Sequence, residues 1–233
     1  MTDTPLKLSS LAGKIIAIDG PAGSGKSTTS RLLAAKLGYI YLDTGAMYRA
    51  LTHFALKNNI PPSDGDKLTA LAKKLPIEFE THADVNRVFI NGEDVTEAIR
   101  TPEVTRNASE VAAHKGVREA MVAKQKEFGR EGSIVAEGRD TTTVVFPKAD
   151  IKIYLTATVK ERAQRRLLEL MKAGVHTTLE ELQEDIEKRD HHDSNRTHSP
   201  LTKSKDAYVV DTTNMTIEGQ IDHIVSLIRS LLK

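Results

Sequence analysis

Apolar residues occur in this chain in two alternating patterns, short continuous runs and longer stretches with helical spacing. The runs predict buried strands of a parallel sheet, and the stretches between them predict amphipathic helices. Such alternation is typical of an α/β fold, in which a parallel five-stranded sheet is flanked by helices. The predicted strands are Lys14 to Asp19, Tyr39 to Leu42, Ser133 to Ala136, Ile151 to Leu155 and Ala207 to Val210.

The helices are predicted from end signals as well as from apolar spacing. Thr158 and Thr178 are each followed three residues later by glutamate, which is the spacing of a capping box. Thr101-Pro102 has the form of an N-cap followed by proline at N1. The predicted helices are Lys26 to Leu37, Met47 to Lys57, Thr101 to Phe128 with one interruption, Thr158 to about Met171, Thr178 to about Arg189, and Thr216 to Leu232.

A different pattern lies at about residues 61–100. A short helix, Asp66 to Leu75, is followed by two short predicted strands, Ile77 to Glu80 and Arg87 to Ile90, and by the turn signal Asn91-Gly92. The alternating strands and helices on either side do not need this segment. We therefore expect a small antiparallel insert here.

Composition indicates a chain that folds around one core with inserts. Of its 233 residues, 39% are hydrophobic and 28% charged, which is ordinary for globular proteins. The sequence has no cysteine, which excludes disulfides and thiolate metal sites and fits a reducing compartment. Met1 to Ser10 has no apolar run of the secretory type, and no stretch of about 18 apolar residues occurs. We expect a cytoplasmic chain without a membrane partner.

The net charge of +1 comes from 33 basic and 32 acidic side chains. Such a balance gives no overall field toward nucleic acid, so we expect no nucleic-acid partner and any anion site to be local. The chain has no coiled-coil pattern that demands a second copy, and we expect a monomer.

Residues 20–27 read Gly-Pro-Ala-Gly-Ser-Gly-Lys-Ser, a complete G-x-x-x-x-G-K-[ST] motif between a predicted strand and a predicted helix. Its glycines let backbone N–H groups point at phosphate oxygens, at the positive end of the helix. Lys26 should reach the β- and γ-phosphates, and the Ser27 hydroxyl should ligate Mg²⁺ directly or through water. The predicted triphosphate site of this P-loop comprises Gly20, Pro21, Ala22, Gly23, Ser24, Gly25, Lys26, Ser27 and Thr28.

The P-loop motif fits ATPases, GTPases, kinases and sulfotransferases equally, so an acceptor has to be sought elsewhere. The predicted helix from Thr158 places three arginines, Arg162, Arg165 and Arg166, close to one line. They are either a solvated face paired with glutamates or stabilisers of charge in phosphoryl transfer. Residues 189–196 bring two arginines and two carboxylates into a predicted turn, with the same two interpretations.

Two more charged segments follow predicted strands. Residues 137–140 (Glu-Gly-Arg-Asp) follow Ser133 to Ala136, and residues 43–49 follow Tyr39 to Leu42. Ligands of open α/β sheets bind at the carboxyl ends of strands, which favours a site at both segments. The alternative is an ordinary turn with exposed charges.

Six segments together resemble the bacterial cytidylate kinases, short P-loop nucleoside monophosphate kinases with an insert in the monophosphate-binding region. They read IDGPAGSGKST, LDTGAMYRA, INGEDVTEAIRTPEV, ASEVAAHKGVREAM, EGRDTTTVVFP and IEKRDHHDSNR, and span nearly the whole chain. The resemblance implies ATP- and Mg²⁺-dependent phosphorylation of CMP, and also of dCMP. It also implies a P-loop core of residues 1–43 and 132–233, a short lid at about 168–180, and a monophosphate-binding region of residues 44–131.

The resemblance also assigns roles to single residues. Cytosine would be read by Ser109, Arg118 and Asp140. The CMP phosphate would be held by Thr44, Arg49 and Arg139, and the ribose and phosphates by Arg189 and Asp193. Charge around the transferring group would be neutralised by the catalytic set Lys26, Arg162, Arg189 and Arg196.

The chain departs from the family pattern at Thr142, where these kinases usually have glycine, and at Glu137, where aspartate is frequent. If the backbone at position 142 has positive φ, threonine is strained there, and the direction in which the Asp140 side chain points changes. A kinase for UMP, AMP or shikimate remains an alternative. A P-loop switch or nucleic-acid-associated ATPase is disfavoured by the missing guanine-reading N-K-x-D and the near-zero charge.

Overall fold

Two sheets organise the protein in a computed structural model that describes residues 12–82, 85–172 and 174–231. The central sheet is parallel, with strand order β2-β6-β1-β7-β8, and the second is antiparallel, β3-β4-β5. The strands are β1 (Ile15–Asp19), β2 (Ile40–Asp43), β3 (Ile77–His82), β4 (Val85–Ile90), β5 (Glu93–Asp94), β6 (Ile134–Gly138), β7 (Ile151–Thr156) and β8 (Tyr208–Asp211).

The five predicted strands are confirmed as neighbours in one parallel sheet. Helices cover both faces of this sheet, so its central strands are buried. Ile16, Ile18 and Val135 on the central strands have no exposed surface, as continuous apolar runs require. The strand β1 lies between β6 and β7, and its last residue, Asp19, pairs with Gly138 and Tyr154. The P-loop therefore leaves the sheet at its centre, among the carboxyl ends of the neighbouring strands.

In the described part of the chain, eight α-helices lie between the strands or, for the last of them, after the final strand. They are α1 (Lys26–Leu37), α2 (Thr44–Lys57), α3 (Gly65–Lys74), α4 (Pro102–Val111), α5 (Lys115–Phe128), α6 (Val159–Lys172), α7 (Leu179–Asn195) and α8 (Ile217–Leu231). Short helical turns follow β5 at residues 98–100 and β6 at residues 141–145.

Two predicted helix bounds are wrong. The helix α2 begins three residues early, at Thr44, because the Asp43 carboxylate accepts the Ala46 N–H at 2.8 Å and caps it. The helix α7 continues to Asn195 instead of ending near Arg189, since no glycine or proline interrupts it before Pro200. The charged segment of residues 189–196 is thus the end of a helix and not a turn.

One predicted capping box is complete and the other is half formed. Thr178 and Glu181 each accept from the other's backbone N–H. Thr158 accepts from the Glu161 N–H at 3.3 Å, but the Glu161 carboxylate pairs with Arg165 at 2.9 Å instead of turning back. A side-chain partner one turn along the helix has displaced the second half of the motif.

The antiparallel sheet lies inside the segment predicted as an insert. Asn91 and Gly92 both have positive φ, 51° and 78°, and join β4 to β5 as the turn signal predicts. Apolar residues of this sheet pack in one cluster with helices α2, α3 and α5, for example Val88 with Leu51 and Met121. The insert therefore shares a core with the helices that flank it.

The helices α6 and α7 form a hairpin with a small core of its own, Ala163, Leu182 and Ile186. Of the residues predicted as a lid, Ala173 lies outside the described residues, as do Met1 to Ser10 and Leu232. Among the helices of the described ranges, none combines the length and apolarity needed to cross a membrane.

Candidate active site

Three glycines give the P-loop its shape. Gly20, Gly23 and Gly25 have φ of 155°, 74° and 89°, a region that side chains disfavour. A Cβ at Gly20 would lie 2.0 Å from the Leu155 backbone oxygen of β7, so only glycine lets the loop leave the sheet here. The loop ends at the first turn of α1, whose N–H groups and helix dipole suit a phosphate.

Lys26 is the buried cation of this loop. Its Nζ donates to the Pro21 backbone oxygen at 2.7 Å, and the side chain lines the cavity above the sheet. Burial, followed by the charge of Arg139, lowers the pKa of Lys26 to about 7. The lowered pKa means that burial penalises the ammonium, so a negatively charged partner in the site would stabilise it.

The low pKa of Lys26 should make binding of the predicted triphosphate, tested with ATP, pH-dependent. Phosphates would stabilise the ammonium, so above pH 7 binding should take up a proton, and the Kd should rise by up to about tenfold per pH unit. Calorimetry at pH 8 in two buffers of different ionisation enthalpy measures the uptake. Lys26→Arg, whose guanidinium does not titrate, is the control. Equal uptake by both proteins would contradict the assignment.

Glu137 lies beside the P-loop serine, inside β6 and not after it as predicted. It pairs in the sheet with Ile18 and Asp43, and Tyr41 donates to its Oε1 at 2.8 Å. Burial and the Asp43 carboxylate raise the pKa of Glu137, while Lys26 and the Ser27 hydroxyl lower it. A hydroxyl and a carboxylate in one place are the hard oxygen donors that Mg²⁺ prefers, so these residues fit that ion.

One cavity of about 200 Å³ joins the P-loop to the charged segments that follow the other strands. We call it the acceptor pocket. Of the predicted site residues, it is lined by Ala22, Gly23, Lys26, Ser27, Thr44, Arg49, Ser109, Arg118, Arg139, Asp140, Arg189, Asp193 and Arg196. The others, Gly20, Pro21, Ser24, Gly25, Thr28 and Arg162, are not part of its lining.

The inner wall of the acceptor pocket is built around Asp140. Arg118 donates to the Asp140 carboxylate and, at 3.2 Å, to the Ala112 backbone oxygen. The Arg118 guanidinium also lies 5.2 Å from the centre of the Tyr48 ring, and Arg196 approaches Asp140 to 3.9 Å. Arg118 and Asp140 are both buried. A fixed carboxylate between two arginines offers both acceptors and donors to a ring of matching polarity.

The pocket as a whole is cationic, because its lining has five arginines and Lys26 but four carboxylates, Asp43, Glu137, Asp140 and Asp193. Arg139 donates to Asp193 at 2.9 Å and to the Gly20 backbone oxygen at 3.1 Å, while Arg49 pairs with Asp43 at 2.8 Å. Burial and the nearby Arg139 charge lower the pKa of Arg189 to about 10. Within the described ranges, three buried donors here have no hydrogen-bond acceptor: Arg49 Nε, Arg189 Nε and Arg196 Nη2. Phosphate oxygens are the natural acceptors for such groups.

The arginines of α6 divide between the two interpretations of their helix face. Arg162 is buried and donates from Nη1 to the Ala22 backbone oxygen at 2.9 Å and to Asp190 at 2.6 Å. Arg166 is partly exposed and pairs with the exposed Glu169 at 3.0 Å, a solvated ion pair. Of the two, Arg162 contacts the P-loop backbone and Arg166 does not share that contact.

A family model described as cytidylate kinase matches residues 16–230. The chain belongs to the cytidylate kinase family. A cytidylate kinase of Listeria monocytogenes is 51% identical over 212 residues, which cover 91% of this chain and 94% of that one. A cytidylate kinase of Enterococcus faecalis is 49% identical over 222 residues, covering 95% and 96%.

Among solved structures, an uncharacterized protein from Eubacterium ventriosum aligns with a TM-score of 0.54 over 94% of this chain and 99% of that one. Its sequence identity is 11%, so this likeness concerns the fold alone.

The departure from the cytidylate kinase pattern at Thr142 causes no backbone strain, contrary to the concern raised by the sequence. Thr142 is not among the residues of positive φ. It lies in the helical turn after β6, and its hydroxyl donates to the Asp19 carboxylate at 2.6 Å. A threonine is accommodated here because its side chain has a buried acceptor.

Sequence reasoning missed four residues around the pocket: Asp43, Tyr48, Glu137 and Asp190. Glu137 was inside a segment flagged by its position, and Asp43 precedes a predicted site threonine. Tyr48 and Asp190 lie inside the segments 43–49 and 189–196, but their partners Arg118 and Arg162 are far away in sequence, so the sequence did not show these contacts.

Proposed function

We propose that this protein transfers the γ-phosphoryl group of ATP to CMP, giving ADP and CDP, and that it also accepts dCMP. The observation that carries the proposal is a single pocket in which the P-loop lysine faces an arginine–aspartate cluster. The P-loop explains a triphosphate donor, and the cluster around Asp140 supports a base-bearing acceptor. Family membership supports the same reaction.

The transfer needs no general base. An oxygen of the CMP phosphate, already anionic, forms a bond to the γ-phosphorus, and the bond from that phosphorus to the β–γ bridging oxygen breaks, so its electrons leave with ADP. Lys26 neutralises charge on the β- and γ-phosphates. Arg162, Arg189 and Arg196 would surround the transferring group, where negative charge spreads over three oxygens.

Selection of cytosine follows from the polarity of the pocket's inner wall. The Asp140 carboxylate accepts from the exocyclic amine of cytosine, whereas uracil has a carbonyl at that position and leaves the buried acceptor unpaired. Arg118 and the Ser109 hydroxyl face the ring acceptors of cytosine. Arg49, Arg139 and Thr44 hold the monophosphate.

Mg²⁺ would be held by the Ser27 hydroxyl, directly or through water, with Glu137 beside it. When bound, the ion shields the phosphate charges so that two anions can approach each other.

The remaining parts of the proposal concern motion, assembly and compartment. The α6–α7 hairpin, with residues 168–180 at its tip, closes as a lid and keeps water from the γ-phosphate. Residues 44–131 form the monophosphate-binding region, and residues 1–43 and 132–233 form the core. The enzyme works as a monomer, because one chain supplies every proposed site residue. Its proposed compartment is the cytoplasm, which the lack of cysteine fits.

A panel of acceptors assayed with ATP and Mg²⁺ tests the function. We expect CMP and dCMP to be converted to diphosphates, and UMP, AMP and shikimate to be used at least about tenfold less well. Coupled measurement of ADP with chromatographic identification of each product separates transfer from hydrolysis. Conversion of neither CMP nor dCMP would end the proposal.

A further inference from the structure

The helical turn after β6 lacks the cap that its sequence offers. Within residues 141–145 the turn is closed by the Phe146 N–H, which donates to the Thr141 oxygen at 2.8 Å. The first N–H groups of such a turn have no partner inside it, and the preceding residue normally accepts from them. That residue is Asp140, whose side chain makes no capping bond.

Asp19, at the end of β1, caps this turn instead. Its Oδ1 accepts from the Thr141 N–H at 2.8 Å, and its Oδ2 accepts from the Thr142 N–H at 2.7 Å. The Thr142 hydroxyl donates a third hydrogen bond to the carboxylate, also at Oδ2, at 2.6 Å. Asp19 has no exposed surface and Thr142 is 1% exposed, so water does not replace a bond that is lost.

A second link holds the other side of Asp140. Arg139 donates to the backbone oxygen of Gly20, at 3.1 Å. Residues 139 and 142 are thus tied to residues 20 and 19, and Asp140 lies between these ties. Its backbone is fixed to the strand from which the P-loop begins.

We propose that Thr142 is a positioning residue for base recognition: its hydroxyl holds Asp19 as the substitute cap and so leaves the Asp140 carboxylate to face the base. Without the hydrogen bond from the Thr142 hydroxyl, Asp19 is held less firmly. Asp140 then competes for the N–H groups of its own turn, as aspartates before helical turns do. A carboxylate that has turned back onto the turn no longer accepts from cytosine. The inference rests on the proposed function, since it concerns how that site distinguishes cytosine from uracil.

The test compares Thr142→Val and Thr142→Ser with the wild-type enzyme, using CMP, UMP and ATP. Valine keeps the shape and removes the hydroxyl, and we expect the KM for CMP to rise about tenfold and the CMP-over-UMP preference in kcat/KM to fall by a similar factor. The KM for ATP should change less than about twofold. Thr142→Ser should restore wild-type values, because it keeps the hydroxyl.

Thr143→Val is the matched control in the same turn. The Thr143 hydroxyl lies 3.4 Å from the Asp140 backbone oxygen and does not bond to Asp19, so its loss should leave the preference unchanged. Melting temperatures of all variants show whether each one folds. Should Thr142→Val not fold, Thr142→Ala removes the same hydroxyl without an extra methyl group and carries the same expectation.

Several results would overturn the inference. An unchanged CMP-over-UMP preference in Thr142→Val, or equal increases in the KM for CMP and for ATP, would show that Thr142 only stabilises the fold. A wild-type enzyme that does not phosphorylate CMP would overturn both this inference and the proposed function. Wild-type activity with an unaffected valine variant overturns this inference alone.

Discussion

Lys26→Ala should lower kcat by about 10³-fold with every acceptor that the enzyme uses. In the proposed mechanism, the Lys26 ammonium neutralises the β- and γ-phosphates, and alanine would leave their charge to more distant arginines. Since Lys26 does not belong to the inner wall of the acceptor pocket, where we propose that the base binds, the KM for CMP should change far less than kcat. Steady-state kinetics with saturating ATP, together with a binding measurement for CMP, separate the two effects.

A lysine on the same helix provides the control. Lys36, in the last turn of α1, forms an exposed ion pair with Asp222 at 3.3 Å, and Lys36→Ala should leave kcat unchanged. Retention of more than about one tenth of kcat in Lys26→Ala would contradict the role of Lys26 in transfer.

Asp140→Ala should raise the KM for CMP by about 10²-fold to 10³-fold while the KM for ATP remains close to its wild-type value. The substitution removes the proposed acceptor for the cytosine amine and leaves the buried Arg118 without its carboxylate. Because both losses occur in the inner wall, the donor side should be little affected. Initial rates over a matrix of CMP and ATP concentrations measure the two KM values.

Asp140→Asn distinguishes base reading from simple destabilisation. Its amide keeps the shape of the side chain but can present an N–H donor, which suits the uracil carbonyl, so the use of UMP relative to CMP should rise. Asp222→Ala, on the surface of α8, is the control for loss of a carboxylate and should alter neither KM. Equal losses of CMP and UMP use in both Asp140 variants would contradict base reading by this residue.

The strands and most helix ends were predictable because their signals are local. The helix α1 begins and ends where the sequence predicts, since the P-loop glycines precede it and Gly38 closes it with a φ of 67°. The predicted end of α7 was wrong because it, too, was inferred from local signals. Residues 189–196 are polar and charged, as turns often are, and the helix persists there because Asp193 finds a buried partner in Arg139.

The sequence by itself determined the donor chemistry of this protein. A P-loop is eight adjacent residues whose glycines and following helix create the phosphate site together. The motif with its flanking strand and helix is therefore enough to predict that site. Its backbone conformation follows from the residues themselves. For the acceptor, the residues alone indicated only clusters of charge, and resemblance supplied the roles.

Tertiary structure decided which charges form a site. Arg162 and Arg166 are one turn apart on α6, yet the first is buried against the P-loop and the second pairs with a glutamate in solvent. Thr142 meets its acceptor Asp19 across 123 residues of sequence. Burial and long-range pairing set the charge and the orientation of each charged side chain and the strength of its interactions. Burial and pairing depend in turn on which strands the fold places side by side.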